Sequence, residues 1–171
     1  MARRALIFGV DKYDNVSGLK CCVKDACAMN DVLGRHENGD PNYDCMLYTS
    51  NGPDKITRAF LREQMTSLFA NFTGDVLFYF AGHGSPSEVG AFMCTSDASS
   101  HDLGIGMDEL LTLANKSPAA EVLLILDCCF SGALGNPAGL QGDIENKALL
   151  REGVTILAAS RPTEPSAEFN G

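Results

Sequence analysis

Val76-Leu77-Phe78-Tyr79-Phe80-Ala81-Gly82-His83-Gly84 is a strongly apolar run that delivers a histidine between two glycines. A second run, Val122-Leu123-Leu124-Ile125-Leu126, delivers Asp127-Cys128-Cys129-Phe130-Ser131-Gly132 in the same way. Short, continuous aliphatic and aromatic runs of this kind read as strands buried on both faces, the habit of parallel sheets. Open α/β sheets place their sites outside the carboxyl ends of such strands. The pattern predicts an imidazole and a thiol meeting at one end of one sheet, the parts of a cysteine nucleophile and its base.

Elsewhere the chain alternates in the same style. Residues 3–10 are a further apolar run, ending in the polar turn Asp11-Lys12-Tyr13-Asp14-Asn15. Residues 20–35 carry Cys22, Ala26, Met29 and Leu33 at helical spacing, and residues 54–70 carry Ile56, Phe60, Leu61, Met65 and Leu68. Asp54 after Pro53 marks the expected start of that second helix. Residues 45–49 read as a short strand, 85–90 as a loop, 91–95 as a short strand or ribbon arm, and 107–114 as a helix. After Cys129, the Gly- and Pro-containing stretch 132–142 reads as a mobile surface loop. A short helix over 144–151 and a buried strand over 154–159 follow. Strands alternating with helices across long crossovers call for an α/β fold: a mainly parallel sheet with helices on both faces.

The 171 residues fit one ordinary domain, with no internal repeat and no linker. A net charge of −9 argues against a nucleic-acid or anionic-membrane surface, because phosphates would be repelled. The apolar run near the start is too short for a signal peptide, and no stretch approaches a membrane span. Seven cysteines sit in apolar or helical settings, which fits reduced thiols in the cytoplasm better than a disulfide scaffold. Two adjacent pairs, Cys21-Cys22 and Cys128-Cys129, with no Cys-x-x-Cys, lack the spacing that structural zinc prefers, so no metal site is expected.

A cysteine attacks as thiolate and needs a nearby imidazolium or helix N-terminus to ionise. Gly82 and Gly84 beside His83 allow close backbone approach. The amides of Gly84 and Cys129 are the natural pair for an oxyanion hole. Adjacent strand side chains point to opposite faces, so Cys128 and Cys129 compete for the nucleophile's place and composition does not choose.

These residues resemble the caspase-like cysteine peptidases (clan CD, peptidase C14), in their metacaspase and bacterial caspase-like branch. The matching segments are Ala5–Val10 with Tyr13, Leu19–Ala26, Tyr79–Gly84, Leu124–Gly132 and Ile156–Arg161. The resemblance implies a three-layer α/β/α sandwich and a cysteine endopeptidase. The family motif Asp-x-Cys-x-Ser-Gly puts the nucleophile at Cys129, with His83 as the catalytic histidine and Gly84 at the oxyanion position. It also implies a pocket for Arg or Lys at P1, built from Cys22, Asp25 and Asp127. Ala81 stands where the family usually has a serine. Ser160, within Ala159-Ser160-Arg161, falls on the edge that pairs with the substrate backbone. No third triad member is required.

The family core has six strands and this chain accounts for about five, so the chain reads as lacking the last strand and helix. Residues 133–152 correspond to a mobile intersubunit-type loop, in which Lys147 and Arg151 are candidate self-cleavage points. Family members often bind Ca2+ through acidic residues after the histidine. Here Asp97, Asp108 and Glu109 are the remaining candidates, and Asn136 lies near the position of a missing family aspartate. The expectation is no cofactor, with Ca2+ activation as the alternative. A protein or peptide substrate is expected, and a sensor or regulatory domain is a plausible partner. The competing readings are a non-catalytic interaction module and a peptidase with another P1 preference.

Overall fold

The structure is a computed structural model that describes residues 2–128 and 150–159. Five strands make one parallel sheet: β1 (Arg3–Gly9), β2 (Asp44–Thr49), β3 (Asp75–Ala81), β7 (Val122–Asp127) and β8 (Val154–Ala158). Their order is β2-β1-β3-β7-β8, with every neighbouring pair parallel. A second sheet of three antiparallel strands, β4 (Gly84–Ser87), β5 (Gly90–Cys94) and β6 (Gly104–Gly106), follows β3 in the chain. The helices are α1 (Cys22–Gly34), α2 (Arg58–Phe69) and α3 (Met107–Lys116).

Strand alternation sorts the apolar residues into two layers. Leu6, Phe8, Phe78, Phe80, Leu124 and Leu126 pack with Leu61, Met65, Leu110 and Leu111, which places α2 and α3 on one face. Ala5, Ile7, Leu77, Tyr79 and Ala81 pack with Cys22 and Ala26 of α1 on the other. The α/β/α layering expected from the alternation of elements is therefore present. Each wholly buried Leu, Ile or Phe in these layers contributes roughly 1.5–3 kcal/mol.

The differences from the sequence reading have local causes. Helix α2 starts after Thr57 rather than at Asp54, because the Phe60 N–H donates to Thr57 Oγ1 at 3.2 Å. Ile56 just before that cap is fully buried in the same cluster as Leu61, the arrangement of a hydrophobic staple. The expected loop 85–90 is instead β4 and a two-residue turn. Gly-Ser-Pro-Ser has little strand propensity of its own, and pairing with β5 makes it a strand. The expected short helix over 144–151 lies outside the described residues except for Leu150 and Arg151, which are not helical.

Candidate active site

Parallel strands bring the ends of β1, β3 and β7 into line: Gly9 pairs with Ala81, and Ala81 with Asp127. Helix α1 starts at this same end. Its N-cap residue, Cys21, makes no side-chain cap, but Asp11 supplies one from the loop after β1. The Cys22 and Val23 amides donate to the Asp11 carboxylate at 2.9 and 3.3 Å. Gly9 lets α1 settle this close: a Cβ there would stand 2.6 Å from the Cys22 carbonyl oxygen and 2.7 Å from the Ala26 Cβ.

His83 follows β3 and is fixed at three points. Its N–H donates to Tyr13 Oη at 2.7 Å. Its carbonyl accepts from the Cys94 N–H at 2.9 Å, joining it to β5. Its Nε2 lies 2.8 Å from the Ser17 carbonyl. A carbonyl only accepts, so Nε2 carries a proton, and in the singly protonated tautomer the lone pair sits at Nδ1. The Tyr13 and His83 rings pack 4.8 Å apart at 49°. Gly82 admits the tyrosine, since a Cβ there would be 2.8 Å from Tyr13 Oη.

The register of the small sheet orients Gly84. With Gly84 opposite Met93 and His83 bonded to Cys94, Gly84 takes the ladder position whose N–H and C=O both point away from the partner strand. Its amide is thus aimed off β5 beside the imidazole.

On the α1 face of the same sheet end lies an acidic group. Tyr79 Oη donates to Asp127 Oδ2 at 3.4 Å. Burial, followed by the charges of Asp127 and Asp25, holds the Tyr79 hydroxyl well above an ordinary phenol. Cys22, Tyr79 and Ala81 belong to one buried cluster, Asp127 lies in register with Ala81, and Asp25 sits in the first turn of α1. Tyr79 was not a sequence candidate, because in an apolar run it reads as core. The available signal was its parity with Ala81, two residues on and on the same face.

Tyr13 behaves alike: burial, the largest cause, pushes its hydroxyl up. Buried phenols that stay protonated while the unfolded chain ionises remove stability as pH rises past about 10. Each such group contributes a slope of up to about 1.4 kcal/mol per pH unit. Tyr13→Phe is therefore expected to cost about 1–3 kcal/mol near neutrality, by orphaning the His83 N–H. It should also flatten the alkaline loss, so the two denaturation profiles converge as pH rises past about 10. Parallel profiles would contradict this.

The remaining sequence candidates fall as follows. Cys129 and Ser160 lie outside the described residues. Cys128 is 1% exposed and belongs to the core on the α2–α3 face. The six described cysteines are thiols. Asp97 accepts from the Arg58 N–H and from Thr95 Oγ1, capping the start of α2. Glu109 accepts from Arg62 Nη2 at 2.8 Å, and that bond holds its carboxyl below the usual range. Asp97 and Glu109 thus have structural partners, and no cluster of three metal-ligating side chains occurs among the described residues.

Arg151 donates three hydrogen bonds. Its guanidinium donates to the Ala119 and Glu152 carbonyls, each at 2.8 Å, and its N–H donates to Asn115 Oδ1. It anchors the chain at the amino-terminal ends of β7 and β8, away from His83. No described helix is long and apolar enough to cross a membrane.

The family model of the caspase domain (peptidase C14) matches residues 2–170, so the chain belongs to that family. A crystal structure of a Geobacter sulfurreducens protein superposes with a TM-score of 0.60 at 21% identity, a likeness that shows the fold. The match covers 75% of this chain and 51% of the other, so this chain spans about half the length of that relative. No curated protein matches the sequence.

Proposed function

We propose that this caspase-domain chain is a metacaspase-like cysteine endopeptidase that cuts after Arg or Lys, using Cys129 and His83. The hydrogen bond from Tyr79 to Asp127 at the sheet end that carries His83, with Cys22 and Ala81 in the same buried cluster as Tyr79 and Asp25 in the first turn of α1, is the observation that supports it. A guanidinium or ammonium desolvated there meets carboxylates with a hydroxyl beside them. Tyr79 replaces the hydroxyl that Ala81 lacks. The burial of Cys128 in the core favours Cys129 as the thiol of the pair with a catalytic part to play.

In the reaction, Nδ1 of His83 takes the thiol proton while the sulfur attacks the scissile carbonyl. The Gly84 and Cys129 amides hold the oxyanion. As the C–N bond breaks, the imidazolium returns its proton to the leaving amine. Water, deprotonated by the same nitrogen, then hydrolyses the thioester. The Ser17 carbonyl stabilises the imidazolium and fixes the ring, a part often given to a carboxylate side chain. Ser160 pairs with the substrate backbone on the acyl side.

A fluorogenic series differing only at P1 tests this reading. Arg and Lys should be cleaved at least about 100-fold faster than Asp, the cost of bringing a carboxylate against two others in place of a cation. Preference for Asp would refute the pocket.

A further inference from the structure

The small sheet ends on β4, which begins at the residue after His83. Among the described residues no strand pairs with its outer edge. Gly84 and Pro86, opposite Met93 and Ala91, hold the outward-facing ladder positions, while Ser85 and Ser87 face β5. Proline has no N–H. The edge therefore presents one donor, the Gly84 N–H, and then two acceptors, the carbonyls of Gly84 and Pro86. Proline in such a place blunts pairing with a second copy of the chain. A peptide that needs only acceptors beyond the first bond can still bind.

The geometry points to β4 as a rail for the leaving-group side of the substrate, taken as an extended peptide backbone. This rests on the peptidase reading above. If the Gly84 N–H holds the scissile carbonyl, a parallel ladder sets Gly84 opposite P1′ and turns its C=O to the P2′ N–H. Two residues on, the Pro86 carbonyl meets the P4′ N–H. The antiparallel alternative would run the acyl side along β4. That side is drawn instead toward Asp127 on β7, and the segments beyond the scissile amine pass His83 and meet the strand that starts there. The site thus recognises backbone N–H groups on the leaving side, with little demand on side chains.

Quenched peptides with one acyl segment ending in Arg and leaving segments of one to four residues provide the test, beside the matching Arg aryl amide. Adding P2′ should raise kcat/KM roughly fivefold, the size of one net hydrogen bond. N-methylation at P2′ should cancel that gain, and N-methylation at P3′, whose N–H faces away, should not. Pro86→Ala restores a donor facing the P2′ carbonyl, so it should raise the ratio of the four-residue substrate to the aryl amide. Equal effects of the two N-methyl groups, or rates indifferent to the leaving segment, would overturn the rail while the amide is still cleaved. Failure to cleave any Arg or Lys amide would remove the peptidase reading, and the rail with it.

Discussion

Cys129→Ala is expected to abolish cleavage, by about 10⁴-fold or more in kcat as for other activated nucleophiles, while Cys128→Ala keeps activity within a few-fold. The two cysteines are neighbours in sequence, yet their expected losses differ in kind. Cys128 is buried among Phe80, Leu126 and the residues of α2 and α3 on one face of the sheet. Trimming its sulfur leaves a small cavity and should cost about 1 kcal/mol of stability, the middle of the range for single substitutions. Denaturant melts and initial rates on both variants measure the contrast. Loss of activity in Cys128→Ala with a native melt would reverse the assignment.

That contrast also marks what the sequence could and could not reveal. The two apolar runs predicted parallel strands because they lack polar alternation, and β3 and β7 are adjacent in the sheet. Strand β3 is buried on both faces, whereas β7 is only half-buried on the α1 face and β8, expected as a buried strand, is mostly exposed at the sheet edge. His83 at a strand end was legible for the same reason. The residues that orient it were not. Ser17 acts through a backbone carbonyl, which no side-chain pattern reports, and Tyr13 sits in a turn 70 residues from the histidine it supports. β4 was invisible because its strand state comes from the register with β5 and not from its own Gly-Ser-Pro-Ser. Arg151 read as a basic residue within a loop. Only the fold brings Asn115 and Ala119 within its reach. Asp11 likewise read as a turn residue, and it caps a helix that begins eleven residues later.

Asp127→Ala is expected to lower kcat/KM for Arg at P1 by about 10²- to 10³-fold, the cost of removing one partner from a desolvated ion pair. Asp25→Ala should cost less, about tenfold, because Asp25 is exposed on the first turn of α1 and water screens it. Asp127 is more sheltered, lies in register with Ala81, and accepts from Tyr79, so its charge meets the substrate with less water between. A purely structural role for Asp127 would also slow alkylation of Cys129 by iodoacetamide, since a distorted β7 end would carry the cysteine with it. A loss confined to basic P1 substrates, with alkylation unchanged, belongs to a pocket. Tyr79→Phe separates the hydroxyl from the charge. It should weaken Arg binding by only about two- to tenfold, one net hydrogen bond, because the carboxylate remains. The same substitution should leave the ratio of Arg to Lys cleavage altered, since a planar fork uses a neighbouring hydroxyl differently from a compact ammonium.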